Sequence, residues 1–252
     1  MELKFNVYNY NRGTEAFKEK KYEESINFYN QAIQDNPLMN FSRAIFWRGI
    51  SYFHINKFQE AINDFEHSQK NGFSDDFRLY YWRGLCYFQL QQFVKAVNDF
   101  QKSTILKPDF IESFIELYVS NIILENRHLG DDTLNKILSI SPNDLTKIIM
   151  CGNKYYEKNF CELAIKIYTD ILRRVHDEPN CLQGRAFCFG NMGKYEKAIC
   201  DLDRLIQIDR VSGTPYFNRG MTYLQMNEKT KANLDFKKAY ELGVKQAIEY
   251  IK

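Results

Sequence analysis

The chain has 252 residues, of which 44% are hydrophobic and 26% are charged, a balance typical of a folded globular protein rather than a disordered one. Its formal net charge of +2 predicts no strong electrostatic attraction to nucleic acid or to an anionic membrane surface. Only five prolines occur, as a chain made mainly of helix interiors requires.

The N-terminal residues, Met1 to Phe5, contain no apolar run and no small-residue cleavage site, so no signal peptide is expected. No stretch of the sequence is long enough without charges to predict a transmembrane helix. The cysteines are Cys86, Cys151, Cys161, Cys181, Cys188 and Cys200. They form no Cys-x-x-Cys pair, and without an export signal they predict free thiols in a reducing, cytoplasmic setting.

A spaced set of small and aromatic residues recurs along the chain. Gly49, Tyr52, Ala61, Phe65 and Ser68 return 35 residues later as Gly84, Tyr87, Ala96, Phe100 and Ser103. A period in the thirties predicts a stacked array of helix pairs, because each pair leaves apolar surface that only the next pair can cover. Such arrays present extended binding surfaces and seldom perform chemistry themselves.

Each repeat is numbered here so that the small residue of its first helix, helix A, is position 8. Position 8 is Gly13, Gly49, Gly84, Tyr118, Gly152, Ala186 and Gly220. On the second helix, helix B, position 20 is Ser25, Ala61, Ala96, Gly130, Ala164, Ala198 and Ala232, and position 24 is Tyr29, Phe65, Phe100, Leu134, Tyr168, Leu202 and Phe236. Small residues let the two helices approach, and the large residue packs across them. Pro37, Pro108 and Pro142 mark the expected ends of B helices.

These residues resemble the tetratricopeptide repeat (TPR), whose pattern is Trp-x-x-Leu-Gly-x-x-Tyr, then Ala-x-x-x-Phe, then Pro. The resemblance covers residues 6 to about 245 and implies an all-α, right-handed α-solenoid (superhelix) of about seven hairpins, with the A helices lining a concave groove. The predicted repeats are 6–39, 42–75, 77–110, 111–144 (degenerate), 145–178, 179–212 and 213–246, in a single domain, 1–252. Val244, Ala247, Ile248 and Ile251 lie at helical spacing and predict a short C-terminal capping helix that ends with residues 247–252.

The fourth repeat departs from the pattern, because Tyr118 replaces the small residue of helix A and Gly130 replaces the Ala of helix B. Residues 126–130 resemble a broken connection before a short second helix that Asp131 or Asp132 would cap. Two interpretations are open: a diverged repeat that still packs, or a local change in superhelix pitch that separates residues 1–108 from 143–252.

An Arg at position 7 accompanies an Asp at position 23 in four repeats. The pairs are Arg48 with Asp64, Arg83 with Asp99, Arg185 with Asp201 and Arg219 with Asp235. They predict an ion pair between helix A and helix B of one repeat, as structural bracing rather than as an active site. Such a pair, if exposed, would contribute at most about 1 kcal/mol.

Motifs for chemistry are missing from the sequence. The four histidines (54, 67, 128 and 176) have no metal-ligand spacing, and no phosphate-binding or nucleotide-binding loop is present. Cys86, Cys188 and Cys200 occupy positions that suit small buried residues. The sequence therefore predicts no enzyme, no cofactor and no metal site.

The family resemblance implies that positions 2, 5, 6, 9, 12 and 13 of helix A face or border the groove. The expected groove residues are Tyr10, Phe46, Trp47, Ile50, Arg78, Tyr81, Trp82, Leu85, Asn153, Gln183, Phe217 and Asn218. Phe46, Trp47, Tyr81 and Trp82 form an aromatic ladder that would anchor an apolar partner segment. The alternative for both Trp residues is packing against neighbouring repeats. The second half is more polar and could hydrogen-bond a peptide backbone.

TPR domains of chaperone adaptors grip a C-terminal carboxylate with Lys, Asn and Arg side chains, an arrangement called the carboxylate clamp. Its positions correspond here to Tyr10, Thr14, Trp47, Arg78 and Trp82, of which only Arg78 is basic. A frame that starts at the fifth repeat gives Ile149, Asn153, Gly184, Thr214 and Asn218, with Asn153 as the one match. The sequence thus predicts a scaffold or adaptor that binds a partner peptide or helix without this clamp. The alternative is a self-associating assembly or regulatory subunit, a homo-oligomer formed through the ends of the array.

Overall fold

The computed structural model of the protein describes residues 8–35, 42–140 and 145–251. It divides the chain into two compact units, the N-terminal unit, Met1–Ile140, and the C-terminal unit, Ser141–Lys252. The secondary structure of the described residues is fourteen α-helices and one 3₁₀ helix, without a strand. The all-α class and the succession of helix hairpins are therefore confirmed.

The N-terminal unit contains four hairpins in which helices A and B alternate. Its helices are α1 (Tyr8–Lys18), α2 (Tyr22–Gln34), α3 (Ser42–His54), α4 (Phe58–Lys70), α5 (Phe77–Gln89), α6 (Phe93–Leu106), α7 (Ile111–Ile123) and α8 (Arg127–Ile140). Within this unit, each helix packs against the helices before and after it in the chain, and neighbouring A helices also touch. The A helices of this unit therefore lie side by side.

The C-terminal unit contains three hairpins followed by a short cap. Its helices are α9 (Leu145–Glu157), α10 (Cys161–Arg174), α11 (Pro179–Asn191), α12 (Tyr195–Ile208), α13 (Thr214–Gln225), α14 (Lys229–Glu241) and a 3₁₀ helix, Lys245–Tyr250, called the C-terminal cap below. The A helices α9 and α11 are in contact. Pro108 follows α6, as expected, whereas Pro37 and Pro142 lie outside the described residues.

In the five hairpins with glycine at position 8, the core is built around the contact between positions 8 and 24. The ring of Phe100 lies so close to Gly84 that a Cβ atom there would be 2.7 Å from its Cε1 atom. The same arrangement joins Gly152 to Tyr168, where the separation would be 2.6 Å. Phe100 and Tyr168 are fully buried. The packing role assigned to these two positions is thus confirmed.

All seven turns between helix A and helix B use the same backbone conformation, which the sequence pattern did not reveal. Position 15 has a positive φ in every repeat, with values of 58° to 69°, at Lys20, Asn56, Gln91, Glu125, Asn159, Gly193 and Asn227. The amide that follows it donates to the carbonyl five residues earlier, as from Gln92 to Tyr87 at 2.8 Å. This is the hydrogen-bond pattern of a Schellman motif, which ends helix A and starts the reversal.

The fourth repeat is packed and its connection is intact. Glu125 adopts the same left-handed turn as the other repeats, with φ of 59°. Helix α8 then begins at Arg127 and runs for 14 residues. Tyr118 and Leu134 are fully buried. The expected broken connection and short second helix are therefore wrong, because the turn depends on backbone conformation and not on the small residues that this repeat has lost.

The four Arg–Asp pairs all form, and they connect three helices rather than two. Nε of Arg83 on α5 donates to Oδ2 of Asp99 on α6 at 2.7 Å, while Nη1 donates to Gln69 on the preceding helix, α4, also at 2.7 Å. Arg48 and Arg185 bridge in the same way to Asn30 and Thr169. The fourth pair, Arg219 with Asp235, is joined by Asp203 of the preceding helix B. Each Arg therefore ties its own hairpin to the previous one.

The four Asp side chains are buried, so the contribution of at most about 1 kcal/mol that applies to an exposed ion pair does not apply to them. Burial raises the pKa of Asp64 and of Asp99, and the paired guanidinium opposes that rise. A buried pair is costly to break from one side, because the partner charge is left without compensation.

The C-terminal cap covers the last hairpin, although it is a 3₁₀ helix and not an α-helix. Ala247 is fully buried, and Tyr250 lies 5.1 Å from the ring of Phe236. Ile248, expected to cover the same surface, is 54% exposed. The spacing predicted on α-helical geometry fails here because 3₁₀ turns place every third residue on one face. The single-domain boundary, 1–252, stays a prediction.

Candidate functional site: the helix A faces

Two residues of the expected groove, Phe46 and Ile50, belong to the core. Phe46 is 0% exposed and Ile50 is 1% exposed. The Phe46 ring packs against Phe73, in the segment that enters α5, with a centroid distance of 4.8 Å. It also packs against Phe65 of its own helix B at 5.8 Å. Neither side chain can contact a partner, which corrects this part of the aromatic ladder.

The two Trp residues pack against the preceding A helix and remain half-buried. Trp47 on α3 meets Phe17 of α1 edge-on at 5.2 Å. Trp82 on α5 meets Phe53 of α3 in the same way at 5.1 Å. Each indole therefore joins two neighbouring hairpins, which is the packing alternative for these residues.

The other expected residues of the N-terminal unit are also engaged. Tyr10 lies 5.8 Å from the ring of Tyr29, and Tyr81 is half-buried against Phe110 at 5.0 Å. Burial raises the pKa of Tyr81. Leu85 is half-buried at the edge of the core.

Arg78, the basic residue among them, is exposed but paired with Asp76. Its Nε donates to Oδ1 of Asp76 at 2.9 Å and its Nη2 donates to Oδ2. Asp76 also caps α5 by accepting the backbone N–H of Arg78 at 2.9 Å. The pairing holds the pKa of Asp76 below its usual range despite burial.

The helix A face of the C-terminal unit exposes apolar side chains. Met150 on α9 is 62% exposed, and Phe187 on α11 and Leu224 on α13 are each 37% exposed. Tyr156 lies parallel to Phe187 at 6.2 Å. Among the described A helices of the N-terminal unit, only Tyr8 is a large hydrophobic residue of comparable exposure. The distribution is thus the reverse of the one expected from the aromatic ladder.

Amides and almost no charges surround these apolar residues. Positions 2, 5, 6, 9, 12 and 13 of three repeats give eighteen residues, of which Glu157 is the one charged residue. The amides are Asn153, Asn180, Gln183, Asn191, Asn218 and Gln225. Asn153 is exposed, Gln183 and Asn218 are half-buried, and Phe217 packs on Phe236 at 5.7 Å. The polar character expected for this half is present.

A pocket of about 490 Å³ lies between α9 and the start of α11. It is lined by Leu145, Thr146, Ile149, Met150, Asn153, Glu178 and Asn180. Glu178 caps α11, and its Oε1 atom accepts from the backbone N–H of Asn180 at 3.1 Å and from the side-chain amide of Asn180 at 2.9 Å.

Tyr168 of α10 reaches this face from behind. Its ring passes between Gly152 and Gly184, where a Cβ atom at either glycine would come within 2.6 Å of the ring. The hydroxyl then donates to Oδ1 of Asn153 at 2.6 Å. Burial raises the pKa of Tyr168, so the hydroxyl keeps its proton. The signal for this contact was in the sequence, as glycine at position 6 of the sixth repeat beside a Tyr at position 24 of the fifth.

Neither a metal site nor a membrane-spanning helix is found in the parts of the chain that the structure describes. There, no group of three or more His, Cys, Asp or Glu side chains is arranged to hold a metal ion. In the same parts, no helix has the length and hydropathy that crossing a membrane requires.

Comparison with known proteins agrees with the fold. A tetratricopeptide repeat model matches residues 77–110, and a second model of the same description matches residues 8–37 and 214–242. Hsp70-Hsp90 organizing protein 1 of Glycine max is 24% identical over 236 residues, which covers 87% of this chain and 38% of that protein. Tetratricopeptide repeat protein 12 of Mus musculus is 28% identical over 94 residues, which covers 37% of this chain and 13% of that protein. The chain therefore spans less than two fifths of these relatives.

Among solved structures, a tetratricopeptide repeat protein from Parabacteroides merdae superposes with a TM-score of 0.59 at 19% identity, covering 96% of each chain. A similar match, with a TM-score of 0.58 at 16% identity, is the C-terminal part of a TPR repeat-containing protein from Cytophaga hutchinsonii, covering 95% of this chain and 98% of that one. With its repeated glycine–aromatic contacts and hairpins, this chain is a tetratricopeptide repeat protein.

Proposed function

We propose that this protein is an interaction adaptor that binds a partner peptide or helix on the helix A face of its C-terminal unit. One observation carries the proposal: Met150, Phe187 and Leu224 expose apolar surface within a face that is otherwise rich in amides and nearly uncharged. Exposed apolar and aromatic side chains of this kind are the usual anchors of protein interfaces. The half-buried residues of the N-terminal unit would contribute mainly to stability.

Catalysis is not part of the proposed function. Burial raises the pKa of Cys86 and of Cys181 to about 12, so both thiols stay protonated and unreactive near neutral pH. The net charge of +2 supports a protein partner rather than nucleic acid.

The proposed partner is not held by a carboxylate clamp. Arg78 is already paired with Asp76, and Trp47 and Trp82 pack on neighbouring A helices. The soybean relative is named for organizing Hsp70 and Hsp90. We expect this chain to share the adaptor role but to select a different ligand.

Site-specific photo-crosslinking tests the face. p-Benzoylphenylalanine at Phe187 or Met150 should crosslink to the native partner in cell extract. Leu234 on helix B provides the matched control, because its exposure of 64% is close to the 62% of Met150. Crosslinks from Leu234 with none from Phe187 and Met150 would show that the partner binds elsewhere.

Self-association through the C-terminal end is the second candidate. Tyr240 and Ile248 are 45% and 54% exposed on the last helix and its cap. Light scattering across a range of concentrations tests it. A constant mass near the monomer value of 30.0 kDa would exclude this candidate, and a larger mass lost in Ile248→Asp would support it.

A further inference from the structure

We infer that the pocket between α9 and α11 is a subsite for one uncharged, apolar side chain of an internal, extended partner segment. We further infer that Asn153 donates to a backbone carbonyl of that segment. This inference rests on the proposed function and names the chemistry of the partner at one place on the face. Three features of the pocket carry it: the three apolar side chains on its α9 side, the fixed orientation of Asn153 and the sign of its one charge.

The α9 side of the pocket contributes an apolar wall of Leu145, Ile149 and Met150, beside the polar residues Thr146 and Asn153. Ile149 is buried, while Met150 is exposed and flexible enough to fold over a bound side chain. The volume of about 490 Å³ falls within the range of roughly 300–1,000 Å³ that ligand pockets occupy. A leucine or methionine side chain of a partner would replace water against this wall.

Asn153 is an oriented donor. The Tyr168 hydroxyl donates to Oδ1 of Asn153 at 2.6 Å. This hydrogen bond fixes the Asn153 amide with its Nδ2 group pointing away from Tyr168. That Nδ2 group has no partner among the described residues and belongs to an exposed side chain. Tyr168 itself cannot shift, because its ring is held between Gly152 and Gly184. Because the Asn153 side chain is already held in one rotamer, it loses little conformational entropy when its amide donates to a carbonyl. It is therefore suited to bind a backbone carbonyl of an extended segment.

Glu178 decides which segment is accepted. It is the one charged residue in the lining, and it is negative. A C-terminal carboxylate or an acidic side chain would therefore meet repulsion without a compensating cation in the lining, which is the reverse of a carboxylate clamp. The negative charge disfavours an acidic occupant, and the apolar wall of α9 favours a neutral side chain over a basic one. The proposed occupant is therefore neutral, and its segment continues past the pocket on both sides.

Defined peptides test the subsite by NMR. The probe is an N-acetylated, C-amidated pentapeptide with a central leucine between serines, and the matched probes carry a central aspartate or a free C-terminal carboxylate. The leucine probe should shift the Asn153 side-chain amide and the Met150 methyl signals. Its Kd should change less than about twofold between 50 and 500 mM NaCl, because no ion pair forms. The aspartate probe should bind about tenfold more weakly.

Tyr168→Phe tests the orientation of Asn153. It should weaken the leucine probe about tenfold, the effect of losing one well-placed hydrogen bond. It should also move the Asn153 amide signals of the peptide-free protein. Tyr29→Phe is the matched control, since it removes an equivalent buried hydroxyl that lies 3.2 Å from Thr14 in the N-terminal unit. It should leave the Kd unchanged.

The outcomes separate the subsite from the general proposal. Equal or tighter binding of an acidic probe, or an unchanged Kd in Tyr168→Phe, would overturn the subsite. Shifts at Phe187 and Leu224 without shifts at Asn153 and Met150 would also overturn it, while leaving the adaptor function standing. A leucine probe that shifts none of these signals would overturn the subsite, and the crosslinking result would then decide the function separately.

Discussion

Positions 8 and 24 of each repeat are coupled through one side chain. Where position 8 is Gly, position 24 is an aromatic residue, as in Gly84 with Phe100. In the sixth repeat, position 8 is Ala186 and position 24 is the smaller Leu202. In the fourth repeat, position 8 is Tyr118 and position 24 is likewise a leucine, Leu134. The ring needs the space that a missing Cβ provides. This pairing was visible in the sequence, but the distance that explains it was not.

Alanine at two glycines should therefore have opposite effects on stability. Gly84→Ala places a Cβ 2.7 Å from Phe100 and should lower the free energy of unfolding by about 1–3 kcal/mol. In Gly130→Ala the nearest atom would be Cγ1 of Ile122 at 3.9 Å, so the protein should gain about 0.4–1 kcal/mol. Urea unfolding measures both. Adding Phe100→Leu to Gly84→Ala should recover part of the loss, and a further loss would contradict the coupling.

The six thiols should differ sharply in reactivity. Cys200 is exposed, which corrects its expected burial, because position 22 lies on the outer face of helix B. Cys86 and Cys181 are buried, and each has a pKa raised to about 12, so both remain protonated at pH 8. Reaction with a thiol-exchange reagent should show Cys200 as the fastest thiol, which Cys200→Ser removes, and the half-buried Cys151 as a slower one. Fast modification of buried cysteines in the folded Cys200→Ser variant would contradict this assignment.

At the scale of the helix hairpin, the sequence specified the helices better than the turns. Small, aromatic and proline positions were enough to place the hairpins. The left-handed residue at position 15 was not recognised, because five residue types fill it and only Gly193 is glycine. Hydrogen bonds of the Schellman motif, not the identity of one residue, hold that conformation.

Glycine at position 15 should stabilise a repeat that lacks it. Gln91 is exposed and has a φ of 58°, a conformation that costs a non-glycine residue about 1–2 kcal/mol. Gln91→Gly should therefore raise the free energy of unfolding by roughly 0.5–1 kcal/mol after the added chain entropy of glycine is deducted. Gly193→Ala is the reciprocal change and should lower it by about 1 kcal/mol. Thermal and urea unfolding should agree in sign, and two effects of the same sign would refute the interpretation.

The Arg–Asp pairs illustrate what sequence spacing can and cannot provide. The Arg and the Asp are 16 residues apart in every pair, as in Arg185 and Asp201, and this spacing correctly predicted the contact. The residue that each Arg meets on the preceding helix B varies among Asn, Gln, Thr and Asp. No single recurring residue type predicted this contact. Contacts between repeats depend on how hairpins stack, and that geometry is not encoded in a recurring residue.

For the whole molecule, the sequence predicted the array but not which half presents its apolar residues. Aromatic content favoured Trp47 and Trp82, yet the aromatic rings of one repeat pack on those of the next, as Phe53 does on Trp82. Among the described residues, Phe187 meets one aromatic ring, that of Tyr156 at 6.2 Å, and it stays 37% exposed. Exposure of a residue in an array is therefore decided by its neighbours in adjacent repeats.

The same locality predicts how the molecule responds to loss of its C-terminal cap. Within each unit, a helix contacts mainly its neighbours along the chain, so stability should be a sum of local terms. Ending the chain at Gly243 removes Ala247 and Tyr250 and uncovers Phe236. Hydrogen exchange in α13 and α14 should then accelerate about tenfold or more, since each 1.4 kcal/mol lost is a factor of ten, while exchange in α3 to α6 stays unchanged. Tyr250→Ala should reproduce a smaller part of the effect. Equal acceleration throughout the described helices would show instead that the chain unfolds as one cooperative body.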